Sequence, residues 1–356
     1  DRVCHQSGFC HPDSDSPASP NPLTLDTMKL AVIIPAFNEE LLIHNTLESL
    51  DQQTNLDFET LIVDSNSSDK TIDIVREFGK KSRYKISFIN ESRRGIGYAR
   101  DAGMRGGIKR GVTLLSSTDA DTIVPPDWIQ SIFDGFSNLS IGLMAGDCDT
   151  TKIVDFKNED MLQLLNCRSY LFREIKPLIR GYNFAIRAST FGKIGGIPQP
   201  VNPDGTKAPG EDNELEQKVL QIGEKIGRSL SVVYPHPRRY IHSLLNLQNY
   251  SGNPYFNNVV YPVRNEEYLV KQLDQVKQST ISEYANRAMT HLFRQFSINV
   301  FNDKVLHNEY WTKILPLFKP LSREKIESDF ATLDQATLIS NYKDLFFKNV
   351  EKLLTV

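Results

Sequence analysis

The sequence feature that most constrains the fold is an alternation of apolar runs and amphipathic stretches over residues 29–136. Leu30–Ile34 is a continuous apolar run, which is typical of a parallel strand buried on both faces. Ile43, Leu47 and Leu50 then share one face of a helix. The same strand-and-helix unit recurs three more times. We therefore predict an α/β fold with a mainly parallel, twisted sheet flanked by helices.

Later segments follow a looser order. Asn38 is expected to cap the first helix, and Pro125 with Pro126 to open the fourth. Beyond residue 150 the patterns predict two helices and two strands, at Asp160–Ile175, after Glu211, at Tyr182–Ile186 and at Ser231–Tyr234. From about residue 266 the chain contains little Gly or Pro, which predicts a helical appendage.

Composition excludes some classes of function. The chain has 356 residues, is 40% hydrophobic and has a net charge of −3 without a long basic run. Binding to nucleic acid is therefore not expected. No stretch approaches the roughly 18 apolar residues of a membrane span, and residues 1–27 lack the apolar core of a secretory signal. These patterns predict a cytoplasmic protein without a transmembrane segment, and leave attachment to the membrane surface open.

The four cysteines lie in two different settings. Cys148 and Cys167 are expected to be buried free thiols. The pairs Cys4-His5 and Cys10-His11 have zinc-ligand chemistry, but no fold-sized frame surrounds them, so free thiols remain the favoured interpretation. Residues 1–27 are rich in Ser, Pro, Asp and Asn, which predicts a disordered arm or an expression remnant.

Polar segments follow the predicted strands, at the sheet edge where ligands bind in open parallel sheets. Asp119-Ala120-Asp121 follows the fourth strand. In an extended segment the two carboxylates would point the same way and repel unless a cation lies between them. Mg²⁺ and Mn²⁺ prefer such oxygen ligands and bind substrate phosphates as well. The alternative is a solvated turn.

Three other segments carry candidate residues. Asp64 ends the second strand, where it can accept hydrogen bonds from a base or ribose, or cap the next helix. Arg93, Arg94 and Arg100 surround Gly95 and could pair with phosphates, or be ordinary surface arginines. Glu211-Asp212 opens a helix after the Gly- and Pro-rich loop 195–209, which suits either a general base or a simple cap.

Five of these segments together resemble the family 2 glycosyltransferases. They are Val32–Glu40, Val63–Thr71, the stretch from Arg94-Gly95 through Ala99–Gly103, Thr118–Asp121 and Gly210–Asp212, in the family's order over roughly residues 29–225. The resemblance implies a GT-A fold and a glycosyltransferase that takes its sugar from a UDP- or GDP-sugar donor. The acceptor hydroxyl, on a glycan, a lipid or a small molecule, is not specified.

The resemblance also implies roles for individual residues. Donor binding is expected from Pro35, Ala36, Phe37, Glu39, Asp64, Arg94, Gly95, Arg100, Asp119 and Ala120. Asp121, with Asp119, is expected to hold Mg²⁺ or Mn²⁺. Asp212, with Glu211, is expected to act as the general base, and the anomeric centre to invert. The implied parts are a nucleotide-sugar-binding half (29–150), an acceptor-binding half (151–264) and a helical appendage (265–356).

The sequence departs from the family in three places. Asn66 stands where Gly is usual, and Asn tolerates the left-handed backbone that such a turn requires. Asp101 replaces the usual Asn. The motif of processive members is not evident, and Pro237–His242 lies there instead, either contacting diphosphate or metal or forming a basic surface.

Competing interpretations remain. A retaining transferase of the sugar-glycerate type would share this fold, and a non-catalytic nucleotide-sugar or glycan-binding protein would share the site. A sugar-nucleotide pyrophosphorylase would need a Gly-rich basic loop after the first strand, where Pro35–Asn38 stands instead.

Overall fold

The computed structural model describes residues 28–93, 95–150, 152, 159–170, 179–199, 211–238, several positions between 279 and 293, 311–312 and 315–354. In chain order, the strands are β1 (Leu30–Ala36), β2 (Phe58–Asp64), β3 (Lys85–Asn90), β4 (Leu114–Ser117), β5 (Thr122–Ile123), β6 (Ile141–Cys148), β7 (Phe184–Arg187) and β8 (Lys225–Pro235). The strand order across the sheet is β3-β2-β1-β4-β7-β6-β8-β5.

The helices alternate with these strands over most of the described chain. They are α1 (Ile43–Asp51), α2 (Thr71–Gly79), α3 (Ile96–Lys109), α4 (Trp128–Phe136), α5 (Glu159–Tyr170), α6 (Ala188–Lys193), α7 (Glu211–Gln221), α8 (Arg323–Thr332) and α9 (Gln335–Leu354), with a 3₁₀ turn at Leu315–Phe318. The predicted α/β fold with helices flanking one sheet is confirmed.

The first half of the sheet is parallel. Strand β1 pairs with β2 and β4, and β2 with β3, all in parallel. Alternate residues of β1 enter two different cores: Val32 packs in the layer of α1 and α4, and Ile33 in the layer of α3. This two-sided burial explains the unbroken apolar run. It also brings the carboxyl ends of β1, β2 and β4 to one edge.

The second half of the sheet is mixed. Strand β7 runs antiparallel to β4 and β6, whereas β8 is parallel to β6 and antiparallel to the short β5. The sequence patterns did not indicate β6, and they predicted only the last part of β8. Both strands carry Gly and polar residues among their apolar ones, which weakens the pattern of a buried strand.

The C-terminal helices α8 and α9 form a third apolar cluster. Phe346 of α9 contacts Phe293 edge to face and Phe318 at a tilt, and Cys167 of α5 is buried in the same cluster. Predicted helices are therefore present in this region, and α5 joins them to the rest of the chain. The predicted domain boundaries themselves stay a prediction.

Two local predictions were wrong. Asn38 does not cap α1, because the helix begins at Ile43 and Asn38 takes a left-handed backbone with φ 55°. Cys148 is only half-buried, with its sulfur 3.0 Å from the Tyr182 hydroxyl. The predictions for residues 1–27, including the zinc ligands, lie outside the described residues.

Candidate active site

The loops that follow β1 and β2 hold each other through side-chain hydrogen bonds to the backbone. Thr71 Oγ1 accepts from the Glu39 amide at 2.7 Å, and Asn38 Oδ1 accepts from the Ser68 amide at 2.8 Å. Asn66 has φ 62°, so the expected left-handed turn is confirmed. Together with the bonds that Asp69 and Glu40 carboxylates accept from backbone amides across the same two loops, these bonds fix the loops against each other as one rim.

The candidate base and ribose ligands lie on this rim. Pro35 and Ala36 are buried at the end of β1, and Phe37, the next residue, is half-buried. Asp64, also half-buried, ends β2. Its Oδ1 accepts from the Ser67 amide at 3.0 Å, which fixes the turn after β2 rather than the start of α2. Asp64 therefore caps a local turn, three residues long, beside the candidate donor site.

Asp119-Ala120-Asp121 forms a turn, not the extended segment that the sequence predicted. The Thr122 amide donates to the Asp119 carbonyl at 3.2 Å, and the buried Thr46 hydroxyl donates to the Ala120 carbonyl at 2.9 Å. A turn gives successive side chains different directions, and Asp119 and Asp121 accordingly contact different arginines.

Arg238 bridges Asp121 and Glu39. Its guanidinium donates to both Glu39 carboxylate oxygens at 2.7 and 2.6 Å and lies 2.8 Å from Asp121 Oδ2. The β5–β8 pairing places it there, because Thr122 pairs with Pro235 and the next turn carries Arg238 back to Asp121. Arg238 is 8% exposed, so the surface interpretation of this basic segment is wrong for Arg238.

Arg100 bridges the other acidic residues. From α3 it donates to Asp119 Oδ1 at 2.8 Å and to Glu211 Oε1 at 3.1 Å, and it lies 3.8 Å from Asp212 Oδ1. The Gly181 amide donates to Asp212 Oδ2 at 3.1 Å. Arg100 thus joins the turn after β4 to the start of α7.

The remaining arginine candidates lie elsewhere. Arg93 exposes 59% of its side chain, pairs with Glu91 and stacks over Tyr98. Gly95 precedes α3 with φ 132°, a backbone that favours glycine. Arg94 lies outside the described residues. The phosphate-binding role that the sequence suggested for this loop is therefore untested.

Five carboxylates and the two arginines that they contact form what we call the acidic centre: Glu39, Asp119, Asp121, Glu211 and Asp212, with Arg100 and Arg238. Burial raises the pKa of two of these carboxyl groups. Burial raises the pKa of Glu39 to about 7, against the opposing effect of Arg238. Burial raises the pKa of Asp212 to about 6, with Arg100 opposing and Glu211 adding to the rise. Asp212 is also the most exposed of the five side chains, at 29%.

The acidic centre has the chemistry to hold a divalent cation. In the ion pairs of the described residues, five carboxylates contact two guanidinium groups, those of Arg100 and Arg238, so negative charge is in excess there. Among the described residues, no three or more His, Cys, Asp or Glu side chains are grouped as a metal cage. Mg²⁺ is commonly held by one or two carboxylates together with substrate phosphates, which is the set that Asp119 and Asp121 could supply.

Sequence reasoning left one contributor to this site undecided and missed another. Arg238 was one of several basic residues in an ambiguous segment, and Gly181 carried no signal at all. The only available hint for Arg238 was its place just after a strand end, where ligands bind in such sheets.

In the part of the chain that the structure describes, no helix is both long and apolar enough to cross a membrane.

Comparison with known proteins identifies the family of the central segment. The family described as Glycosyl transferase family 2 matches residues 31–194. Validoxylamine A glucosyltransferase from Streptomyces hygroscopicus subsp. limoneus is 31% identical over 133 residues, or 37% of this chain and 29% of that protein. "Probable glycosyltransferase YdaM" from Bacillus subtilis (strain 168) is 27% identical over 56% of this chain and 48% of its own. The chain thus spans less than half of either relative.

Solved structures show a more distant likeness. The mannosyltransferase PcManGT from Pyrobaculum calidifontis, in complex with GDP-Man and Mn²⁺, is 16% identical, with a TM-score of 0.46 over 92% of this chain and 87% of that one. TarS 1–349 from S. aureus, in complex with UDP-GlcNAc, is also 16% identical, with a TM-score of 0.47 over 92% of both chains. Likenesses at this level say nothing about donor, metal or acceptor.

Proposed function

We propose that the chain moves a sugar from a nucleotide-diphosphate-sugar to an acceptor hydroxyl. The premise is that residues 31–194 are a glycosyl transferase family 2 domain. The anomeric carbon inverts, and a divalent metal assists. The observation that carries this proposal is the placement of Asp212. It is the acidic-centre carboxylate most open to the surface, and it lies across Arg100 from Asp119.

The rim formed by the loops after β1 and β2 would receive the nucleotide. Half-buried Phe37 offers apolar surface from its place after the buried Pro35 and Ala36, and Asp64 offers a carboxylate oxygen to a base or ribose. The bonds from Thr71 and Asn38 support this role, because a rim held by its own hydrogen bonds needs no reorganisation when a donor binds. Either uracil or guanine suits this surface, so UDP- and GDP-sugars are both proposed donors.

Asp121, with Asp119, would hold Mg²⁺ or Mn²⁺ against the donor diphosphate. A bound metal would offset the charge that develops on the leaving nucleotide. Arg238 carries a positive charge to the same place, and its guanidinium fork matches phosphate geometry. We therefore propose that Arg238 also holds the diphosphate, and that Glu39 acts by orienting Arg238 rather than by touching the base.

Asp212 would remove the proton from the acceptor hydroxyl as that oxygen attacks the anomeric carbon. A pKa of about 6 suits this task, since a base titrating near the working pH is ionised and still accepts a proton readily. Glu211, whose carboxylate is bonded to Arg100, would support Asp212 electrostatically.

Calorimetric titration tests the donor part of this proposal. UDP and GDP are titrated into the protein with and without Mn²⁺, and we expect tight binding of one nucleotide only when metal is present. Proton NMR of the product made from the matching nucleotide sugar then reports the anomeric configuration. Binding without turnover in any acceptor or hydrolysis assay would favour a non-catalytic binding protein, and a retained configuration would favour the retaining alternative.

A further inference from the structure

Arg100 has little room to bind a phosphate. Its side chain is 4% exposed, and its guanidinium already contacts Asp119 and Glu211, with Asp212 at 3.8 Å. Asp119, Asp212 and Glu211 raise the pKa of Arg100 despite the opposing effect of burial, so it stays charged. A buried cation among three carboxylates acts on those carboxylates rather than on a ligand in solvent.

Gly181 is shaped to this cation. A methyl group added to its backbone would overlap the guanidinium of Arg100. The three atoms nearest to that methyl group all belong to Arg100. The residue has a buried backbone, and its amide donates to Asp212 Oδ2. Gly181 therefore does two things that a larger residue could not do together: it leaves space for Arg100, and it approaches Asp212 closely enough to hold it.

Asp212 is consequently held from two sides. Gly181 contacts Oδ2, and Arg100 lies nearest to Oδ1. Burial raises the pKa of Asp212. Both contacts lower that pKa, because they favour the ionised carboxylate. The other charged groups acting on Asp212 are Glu211 on its own helix and Arg180 next to Gly181.

We infer that Arg100 and Gly181 form a positioning pair that aims the Asp212 carboxylate at the acceptor hydroxyl and keeps it ionised. This inference rests on the proposed function, in which Asp212 is the base. It assigns Arg100 to the base rather than to the donor phosphates. Because Arg100 also holds Asp119, the pair links the base to the acidic turn after β4.

Gly181→Ala tests the inference, with Gly192→Ala as the matched control. A methyl group on Gly192, in α6, meets nothing within 4 Å. We expect Gly181→Ala to lower kcat about 100-fold, the size of effect that a misplaced reacting group produces. Because Arg100 also contacts Asp119, the Kd of UDP or GDP with Mn²⁺ should rise relative to the Gly192→Ala protein, but by far less than kcat falls. An unchanged kcat, or a parallel loss of nucleotide binding, would overturn the inference.

A double-mutant cycle covers the case in which Gly181→Ala disturbs folding. Arg100→Lys removes the planar fork and so opens space beside residue 181. Gly181→Ala should therefore cost much less in the Arg100→Lys background than alone, a non-additive result expected only of groups in contact. Additive losses in kcat would show that the two residues act separately and would contradict the inference.

A readout without turnover separates this inference from the proposed function. If the wild-type protein transfers no sugar, the proposed function fails, but carbon-13 titration of the Asp212 carboxyl still tests the pair. Gly181→Ala should raise that pKa, because the added methyl group displaces Arg100, whose positive charge favours the ionised carboxylate. A pKa equal to that of the wild type would refute the positioning pair.

Discussion

The rim after β1 and β2 and the acidic centre are neighbours held by different forces. Hydrogen bonds between side chains and backbone amides hold the rim, such as those of Thr71 and Asn38. Two buried guanidinium groups, Arg100 and Arg238, hold the acidic centre together. The rim bonds end on backbone amides, whereas the ion pairs of the acidic centre join charged side chains that can exchange partners with a metal or a phosphate. The rim is therefore suited to recognition, and the acidic centre to chemistry.

Replacing the proposed base should produce the largest effect. Asp212→Asn preserves the size of the side chain and its hydrogen bond from Gly181 but removes the basic oxygen. We expect kcat to fall roughly 10²- to 10⁴-fold, the usual contribution of a general base. Steady-state kinetics measure this, and calorimetry should give an unchanged nucleotide Kd. Glu211→Gln serves as the comparison and should cost less, so an equal loss in both variants would contradict the assignment of Asp212.

Removing one carboxylate from the turn after β4 should have the second largest effect, a loss of nucleotide binding. Asp121→Asn is expected to weaken Mn²⁺-dependent nucleotide binding roughly 100-fold, because loss of even a group that supports a metal ligand lowers metal affinity about 10- to 100-fold. Binding without metal should change little. Asp134→Asn, on the exposed face of α4, is the control. Full-strength metal dependence in Asp121→Asn would remove Asp121 from the metal site.

The pH dependence should follow the Asp212 carboxyl. Its pKa is raised to about 6, and only the ionised form accepts the proton, so kcat/KM should be lost as pH falls through about 6. Between pH 7 and pH 5 we expect a fall of about tenfold. Rate profiles at saturating Mn²⁺ measure this. An acidic limb near the ordinary value of an aspartate would show that burial does not perturb this group in solution.

Replacing the Arg238 guanidinium by an ammonium group should have a moderate effect on the donor KM. Lys carries the same charge but cannot bridge both Glu39 oxygens and Asp121, so Arg238→Lys should raise the donor KM several-fold, up to about tenfold. Arg93→Lys is a close control, because Arg93 makes a similar two-pronged contact with Glu91 but is exposed. Equal donor KM values in the two variants would place Arg238 outside the donor site.

The rim should give the smallest effect. Thr71→Val keeps the shape of the side chain and removes the acceptor for the Glu39 amide, so the free energy of unfolding should fall by about 1 kcal/mol. Chemical denaturation measures it, with Thr332→Val as the control at an exposed helical position. A loss confined to stability, with kcat unchanged, would agree with a rim that binds rather than reacts. A loss of kcat larger than that of Arg238→Lys would reverse the division between the two regions.

Sequence reasoning succeeded best in the first, parallel half of the sheet. Strands β1 to β4 and helices α1 to α4 were predicted because each buries a periodic apolar surface and ends at a turn-forming segment. Strand β6 was missed because its apolar residues are interrupted by glycines. The cap assigned to Asn38 was wrong because the residue bonds across to the β2 loop, a partner 30 positions away.

The sequence by itself determined the four strand-and-helix units, the polar segments at their ends and the family that these segments indicate. These features are local, since burial periodicity and turn chemistry depend on near neighbours along the chain. Only the tertiary structure decided that Arg238 meets Asp121 and Glu39, that Arg100 rather than solvent faces Asp119, and that Gly181 supports Asp212. Those contacts span up to 199 positions, and the pairing of β5 with β8 and of β4 with β7 creates them. An ion pair depends on where the backbone carries each charge, and that is set by the assembled sheet.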